Sequence, residues 1–309
     1  MANLYHDDIY KFENPVNSYW ESTVDTKDKY KTLDKDINVN VAVIGGGYTG
    51  LSCALSLAKK YNEDVVLLEA GHIGWGSSGR NAGFCCIPPA KMSVKKMFHK
   101  YGKNETKKFF QNTIEGSNFT KNIIQEYNID CDLTGDSNYE VAPHPSYFEG
   151  IKEEAATYKK EFGIETKVFS KEEFNEIGHG GNEQFGAMSY KPGFAINPLK
   201  FLLGIAKVAN NSGVKIFQKS KVTKIEKFKG KFKIISNGSI VKANKIVMAT
   251  NGFYKDDIFP KLNNMILPVI SNIIITRPLT TEEIKSHNFI TNNPVLNIRN
   301  LLFYYRLLK

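Results

Sequence analysis

The chain has 309 residues, 41% hydrophobic and 24% charged, the composition of a soluble globular protein long enough for one large or two ordinary domains. Its net charge is +9, but lysine carries almost all of it, interleaved with Glu, Asp and Asn, while arginine occurs only at 80, 277, 299 and 306; this describes a solvated surface and speaks against a nucleic-acid or membrane patch. No apolar run approaches the roughly 18–20 residues that span a bilayer. Cysteines 53, 85, 86 and 131 lack metal-site or C-x-x-C spacing, and the N-terminus lacks the basic start and apolar core of a signal peptide. A cytoplasmic protein with reduced thiols and no metal site is expected.

Residues 1–36 are polar and irregular, and their one aromatic cluster, NPVNSYWEST, is expected to pack Tyr19 and Trp20 of an N-terminal arm onto the body, with a loose tail as the alternative. Residues 39–44 form an apolar, β-branched run suited to a buried strand of a parallel sheet. That run leads straight into Gly45, Gly47 and Gly50, a G-x-G-x-x-G whose glycines allow a tight turn, a close approach to a pyrophosphate, and close packing of helix on sheet. From 49 to 60, Leu51, Ala54, Leu55, Leu57 and Ala58 recur at helical spacing, so the N–H groups of a helix N-terminus would point at the phosphates. A second strand over 64–68 ends at Glu69, nineteen residues beyond Gly50, where an acid accepts hydrogen bonds from ribose hydroxyls and repels a 2′-phosphate. Strand, turn, helix, strand and acid in this order predict an adenine-dinucleotide site.

A simple NAD-binding domain would continue with further βαβ units. Here a second Gly/Ser-rich loop, 74–83, follows instead, and then a long departure. Residues 91–131 read as largely helical, with Phe109, Phe110, Ile114, Phe119, Ile123 and Ile124 on a periodic face. A strand over 139–142, a helix over 146–162 and a strand over 166–169 come next, and Ser170 with Glu173 forms a capping box. The α/β pattern returns at Asn197-Pro198 with a helix to 210 and strands at 214–217, 222–228, 232–235 and 245–249. Residues 265–276 and 295–308 read as strand-rich. The predicted fold class is α/β (α+β overall): a Rossmann-type domain with a parallel sheet, interrupted by a substrate domain with a mixed or antiparallel sheet and helices. The expected boundaries are an arm over 1–36, the dinucleotide domain over 37–90 and 193–262, and the substrate domain over 91–192 and 263–309, with Pro-bearing crossings near 88–92, 191–198 and 260–268.

VAVIGGGYTGLSCALSLA, LLEAGHIGWGSSGRNAGF, KPGFAINPLKFLLGIAKVANNSGVKIF and IVMATNGF resemble successive FAD-facing segments of the D-amino-acid-oxidase-type family of FAD-dependent oxidoreductases. Within it, NSYW before the first strand together with GGGYTGLS and GSSGRNAGF is most similar to the gamma-glutamylputrescine oxidoreductases. The resemblance covers about residues 15–309 and is looser from 91 to 190. It implies FAD as cofactor, with pyrophosphate contacts from Gly45, Gly47, Tyr48, Thr49 and Gly50, a ribose contact from Glu69, and further contacts from Ser77, Ser78, Arg80, Asn81 and Gly83. It also matches Val222 to the residue whose backbone pairs with the adenine edge. Arg80 has a second reading, as a structural arginine binding loop carbonyls. Family members continue beyond FYYRLLK into a glycine-rich loop and a final helix, so the resemblance implies a C-terminally truncated chain that lacks part of the FAD domain.

The implied activity is oxidation of the C–N bond of an amine or amino acid, gamma-glutamylputrescine-like and belonging to putrescine catabolism. A hydride passes to flavin N5, and dioxygen is the expected acceptor. Arg306 in FYYRLLK resembles the place where relatives hold a substrate carboxylate through a guanidinium fork, with a surface-strand arginine as the alternative. Tyr304 alternates with Tyr305 and shares the face of Arg306 as a wall. Cys85 and Cys86 suit packing better than covalent flavin attachment, and His72 and His179 read as loop residues. No catalytic base is named, because a neutral amine needs none. Two alternatives stay open: a nicotinamide-dependent dehydrogenase, and a non-catalytic nucleotide-binding remnant.

Overall fold

The structure is a computed structural model describing residues 7–25, 29–87, 92–253, 258, 262, 265–267, 269–299 and 301–308. The chain forms two compact units, one from Met1–Asn81, Ile129–Cys131 and Pro198–Ile273, the other from Ala82–Asn128, Asp132–Asn197 and Ile274–Lys309.

The first unit opens with a short helix α1 (Tyr19–Ser22), then β1 (Ile37–Ile44), α2 (Tyr48–Tyr61) and β2 (Val65–Leu68). The chain passes through the second unit with β3 (Phe84–Cys85), α3 (Val94–Glu126), β4 (Asn138–Val141), α4 (Pro145–Phe162), β5 (Thr166–Phe169), α5 (Lys171–Ile177), β6 (Ala187–Tyr190) and β7 (Phe194–Ala195). It returns to the first with α6 (Pro198–Asn211), β8 (Lys215–Phe217), β9 (Val222–Phe228), β10 (Lys231–Ser236) and β11 (Ser239–Met248). The second unit ends with α7 (Thr281–Ser286), β12 (Val295–Asn297) and β13 (Tyr304–Tyr305).

The first unit is built on a six-stranded sheet in the order β8-β2-β1-β11-β10-β9. β8, β2, β1 and β11 run parallel, and β10 and β9 extend the sheet antiparallel. Val41, Ala42, Val43 and Ile44 are all buried, as a central strand covered on both faces requires, which is why this stretch reads as a continuous apolar run. Asn237-Gly238, both at positive φ, makes the tight hairpin turn between β10 and β11. That turn starts β11 at Ser239, earlier than the predicted 245. Leu33, Ala42, Ile44, Val66, Leu68, Val222, Ile234 and Val241 pack as one core on this sheet. Within the described part of the arm, Ser18 caps α1 in a capping box and Trp20 is buried.

The second unit carries a five-stranded mixed sheet in the order β13-β12-β4-β6-β5, with β12 parallel to β4 and the other pairs antiparallel. Period-two alternation puts Met188 and Tyr190 into a core with Phe110, Ile151 and Tyr158 of α3 and α4, where Phe110 stacks on Phe162 at 3.9 Å. Tyr139, Val141, Phe169, Phe174 and Val295 form the core of the opposite face. α3 is a long helix, as expected, but it breaks at Gly102, whose φ is 78°. The capping box closes as expected, Ser170 N–H donating to Glu173 Oε2 at 2.7 Å and Glu173 N–H to Ser170 Oγ at 3.2 Å.

Two strand expectations are corrected. The described residues of 265–276 form no strand, and Val269 and Ile274 are 84% and 88% exposed. Their β-branched composition suits a strand, but among the described residues no neighbouring strand takes up their N–H and C=O groups, and composition alone does not make a ladder. Among the described residues of 295–308, the strands are Val295–Asn297 and Tyr304–Tyr305.

Candidate functional site

β1 delivers the chain into a turn that only glycine fits. Gly45 N–H donates to Leu68 O at 2.8 Å, its φ is +108°, and a Cβ there would lie 2.4 Å from Ala249 O. At Gly50, inside the first turn of α2, a Cβ would lie 1.9 Å from Gly45 O, so helix and strand can meet this closely only without a side chain.

The first turn of α2, whose N–H groups have no intrahelical acceptor, opens on a cavity of about 600 Å³. Gly45, Gly47, Tyr48, Thr49, Glu69, Ser77, Ser78 and Val222 all line it. Ser78 Oγ accepts from Tyr48 N–H at 3.1 Å, Tyr48 Oη donates to Pro198 O at 3.0 Å, and Asn251 Nδ2 donates to Ser77 Oγ at 3.1 Å. The first of these bonds ties the Gly/Ser loop to the glycine turn, the second ties that turn to the start of α6, and the third ties the loop to the segment after β11. Glu69 is anchored by the glycine turn and by its own: Oε2 accepts from Gly46 N–H at 2.6 Å and Oε1 from Gly71 N–H at 2.9 Å. Burial pushes its carboxyl above the usual range, against the pull of the Gly71, Gly46 and Ala70 backbone groups. Among the described lining residues Glu69 is the sole carboxylate, and Lys221 supplies a cation. Helix N–H groups suit a diphosphate, and a fixed carboxyl suits a ribose diol.

Gly50, Arg80, Asn81 and Gly83 lie outside the lining. Arg80 Nε donates to Gly76 O at 3.4 Å and its guanidinium sits 5.0 Å from the Trp75 ring centroid. This geometry matches the loop-carbonyl reading of Arg80. Asn81 Nδ2 donates to Ser77 O at 3.2 Å and Ser78 O at 3.0 Å. Gly83 belongs to the second unit, where its carbonyl accepts from Ile196 N–H at 2.9 Å.

In the second unit Arg306 and Tyr304 flank Phe84, the guanidinium carbon of one and the ring centroid of the other each 5.8 Å from its ring centroid. An Arg306 terminal nitrogen donates to Ile196 O at 2.7 Å. Tyr305 points elsewhere, with its hydroxyl 2.7 Å from His179 Nε2. His179 is buried and stacked on Phe289, and burial lowers its pKa, so it is a neutral packing partner as well as a loop residue. Its Nδ1 lies 2.7 Å from Gly180 O, which makes Nδ1 the donor and Nε2 the acceptor of the tyrosine proton. Burial pushes the Cys85 thiol up to about 12 and Cys86 higher still, and Cys86 Sγ donates to Asn138 Oδ1 at 2.8 Å. Both are packing thiols.

The cavity also has walls that the sequence reading did not anticipate: Tyr10, Phe12, Trp75, Lys221 and Phe253. Their signal was local, an aromatic in the arm, one in GWGSS and one in ATNGF. Among the described residues no cluster of His, Cys, Asp and Glu could hold a metal ion, and no helix is long and apolar enough to cross a membrane.

The family described as FAD dependent oxidoreductase (DAO) matches residues 40–308. The chain is 28% identical over 307 residues to a probable oxidoreductase OrdL of Haemophilus influenzae, covering 96% of this chain and 69% of that protein. It is 27% identical over 293 residues to gamma-glutamylputrescine oxidoreductase of Escherichia coli, covering 94% and 67%. Glycine oxidase from Geobacillus kaustophilus superimposes with a TM-score of 0.57 at 17% identity, over 70% of this chain and 56% of that one. L-amino acid deaminase from Proteus vulgaris does so with 0.54 at 19% identity, over 73% and 49%. These two structures share the fold, and the chain spans about half of their length and about two thirds of the curated relatives.

Proposed function

The chain belongs to the DAO family of FAD-dependent oxidoreductases, and from that premise we propose that it oxidises the C–N bond of an amine or amino acid. FAD is the cofactor, which sets aside the nicotinamide alternative. The observation that carries the placement is the convergence of the α2 first turn, Glu69, Ser77, Ser78 and Val222 on one cavity. Those donors and that carboxyl fit the ADP half of FAD. Gly45, Gly47, Tyr48, Thr49 and Gly50 form the diphosphate turn, Glu69 accepts from the ribose hydroxyls, and the Val222 backbone meets the adenine edge. Arg80 and Asn81 hold the Gly/Ser loop in shape. The first unit is proposed as the FAD domain, centred on the expected 37–90 and 193–262, and the second as the substrate domain, centred on the expected 91–192 and 263–309.

When bound, FAD supplies the two-electron acceptor. The chain's own part is to hold and orient. Arg306, fixed by the Ile196 carbonyl, offers a guanidinium whose natural partner is a carboxylate, and Tyr304 beside Phe84 walls the same place. The substrate reacts as its neutral amine, which requires no acid–base pair, and water hydrolyses the released imine. A gamma-glutamylputrescine-like amine is the favoured substrate, dioxygen the acceptor and the cytoplasm the compartment. The relative named gamma-glutamylputrescine oxidoreductase supports the substrate. The reading is tested by mixing FAD-loaded protein anaerobically with a panel of amines and amino acids and following the flavin bands. Bleaching by at least one member, with Arg306→Ala raising KM for carboxylate-bearing substrates alone, supports it. Loaded protein that no amine or amino acid bleaches defeats it.

A further inference from the structure

The arm does more than pack. Phe12, only 9% exposed, reaches the wall of the dinucleotide cavity together with Tyr10. Its ring stands edge-on to Trp75 at 4.9 Å and to Phe253 at 6.1 Å, and Trp75 meets Phe253 at 5.4 Å. All three line the cavity, so this is an aromatic wall facing open space. Lys221 Nζ lies 5.4 Å from the Phe12 ring centroid, and its neighbour Val222 lines the same cavity. Two hydrogen bonds fasten the arm to the loop that follows Glu69. Trp75 Nε1 donates to Asn14 O at 2.8 Å and Trp20 Nε1 donates to Asn81 O at 3.0 Å, and Glu21 Oε1 lies 3.2 Å from His72 Nε2 beside them.

We propose that the N-terminal arm is a strap of the cofactor site, delivering Phe12 as a positioning residue to an aromatic wall, with Trp75 and Phe253, for the adenine ring. The inference rests on the dinucleotide reading given above. Adenine is preferred over the flavin ring because Val222 and Glu69 belong to the same cavity as the wall, and Glu69 is the group suited to the adjoining ribose. The trio lines the cavity as aromatic, apolar surface, and a heteroaromatic ring against such a surface gains stacking that water cannot supply.

The test uses the full chain and its tryptophan emission, since Trp75 is one of only two tryptophans and lines the cavity. FAD, ADP and FMN are titrated separately into wild type, Phe12→Ala and Phe12→Leu, the last keeping apolar bulk so that folding is preserved. The expected result is a loss of about tenfold in FAD and ADP affinity in both variants, with FMN affinity unchanged. Wild-type ADP and FAD affinity in a folded Phe12→Leu chain would overturn the strap while leaving the dinucleotide reading intact. A loss confined to FMN would overturn the adenine assignment. A wild-type chain that takes up neither FAD nor ADP would overturn the dinucleotide reading itself, and the strap with it.

Discussion

Replacing Gly50 by alanine destabilises the chain even though alanine is the better helix former. Gly50 is the third residue of α2, and in an unconstrained helix the exchange would gain about 1 kcal/mol. Here the new Cβ would lie 1.9 Å from Gly45 O, whereas ordinary contact begins at 3.4 Å, so the start of α2 must withdraw by the difference, 1.5 Å. The obstacle is backbone, and it is tied to β2 by the bond from Gly45 N–H to Leu68 O. Overpacking of this kind costs about 3 kcal/mol, leaving a net loss of about 2 kcal/mol, or about 4 °C in the melting midpoint. Gly47→Ala is the control. Its φ of −82° suits any residue, and its Cβ would meet Ser78 Oγ at 2.9 Å, a side chain that can turn away. That rotation loses one hydrogen bond to Tyr48, worth about 1 kcal/mol, but the methyl stands where the diphosphate would approach. Melting of the cofactor-free proteins and FAD titration separate the two effects. Gly50→Ala should melt early, and Gly47→Ala should melt near wild type yet bind FAD at least about tenfold more weakly. A Gly50→Ala chain as stable as wild type, or a Gly47→Ala chain with unchanged affinity, refutes the steric reasoning.

Glu69→Gln keeps one acceptor but turns an amide NH2 toward a backbone donor, so it should cost about 1–3 kcal/mol of stability and weaken FAD binding; undiminished affinity would count against the ribose contact. Glu140, buried in β4, is pushed up to about 8 by burial and then by the charge of Glu154, against a hydrogen bond from Tyr190. The folded chain therefore holds a proton that the unfolded chain releases above 4.5, so this contribution to stability is complete below that pH and lost as pH rises through 8. Glu140→Gln should flatten the fall in melting midpoint between about pH 5 and 8, and an equally steep fall in the variant would falsify the assignment. Cys85 and Cys86, held as thiols, should react slowly with an alkylating reagent at neutral pH until the chain is unfolded, and any bound flavin should be released by denaturation. Rapid labelling of both in the native protein contradicts this.

What could be read from the residues alone was what short-range chemistry specifies. The glycine turn, α2, β2 and Glu69 lie within about thirty residues, and each position has its own steric or hydrogen-bonding requirement, so spacing alone located them. Residues 265–276 failed for the opposite reason: a strand exists only through its neighbour, and the composition of one segment does not reveal whether a neighbour is there. The Tyr305–His179 bond spans 126 positions, and Phe12 meets Trp75 across sixty-three, separations over which periodicity carries no information. Arg80 was legible either as a cofactor contact or as a structural arginine on loop carbonyls, but which carbonyl it meets, and the indole face beside it, needed three dimensions.

The most direct measurement is an equilibrium titration of the purified full chain with FAD, followed by visible absorbance and competed with ADP. The account predicts one FAD per chain, displaced by ADP and not by a dinucleotide carrying a 2′-phosphate. A folded chain that binds no FAD, or whose bound FAD is indifferent to ADP, contradicts the assignment of the Gly45–Glu69 cavity.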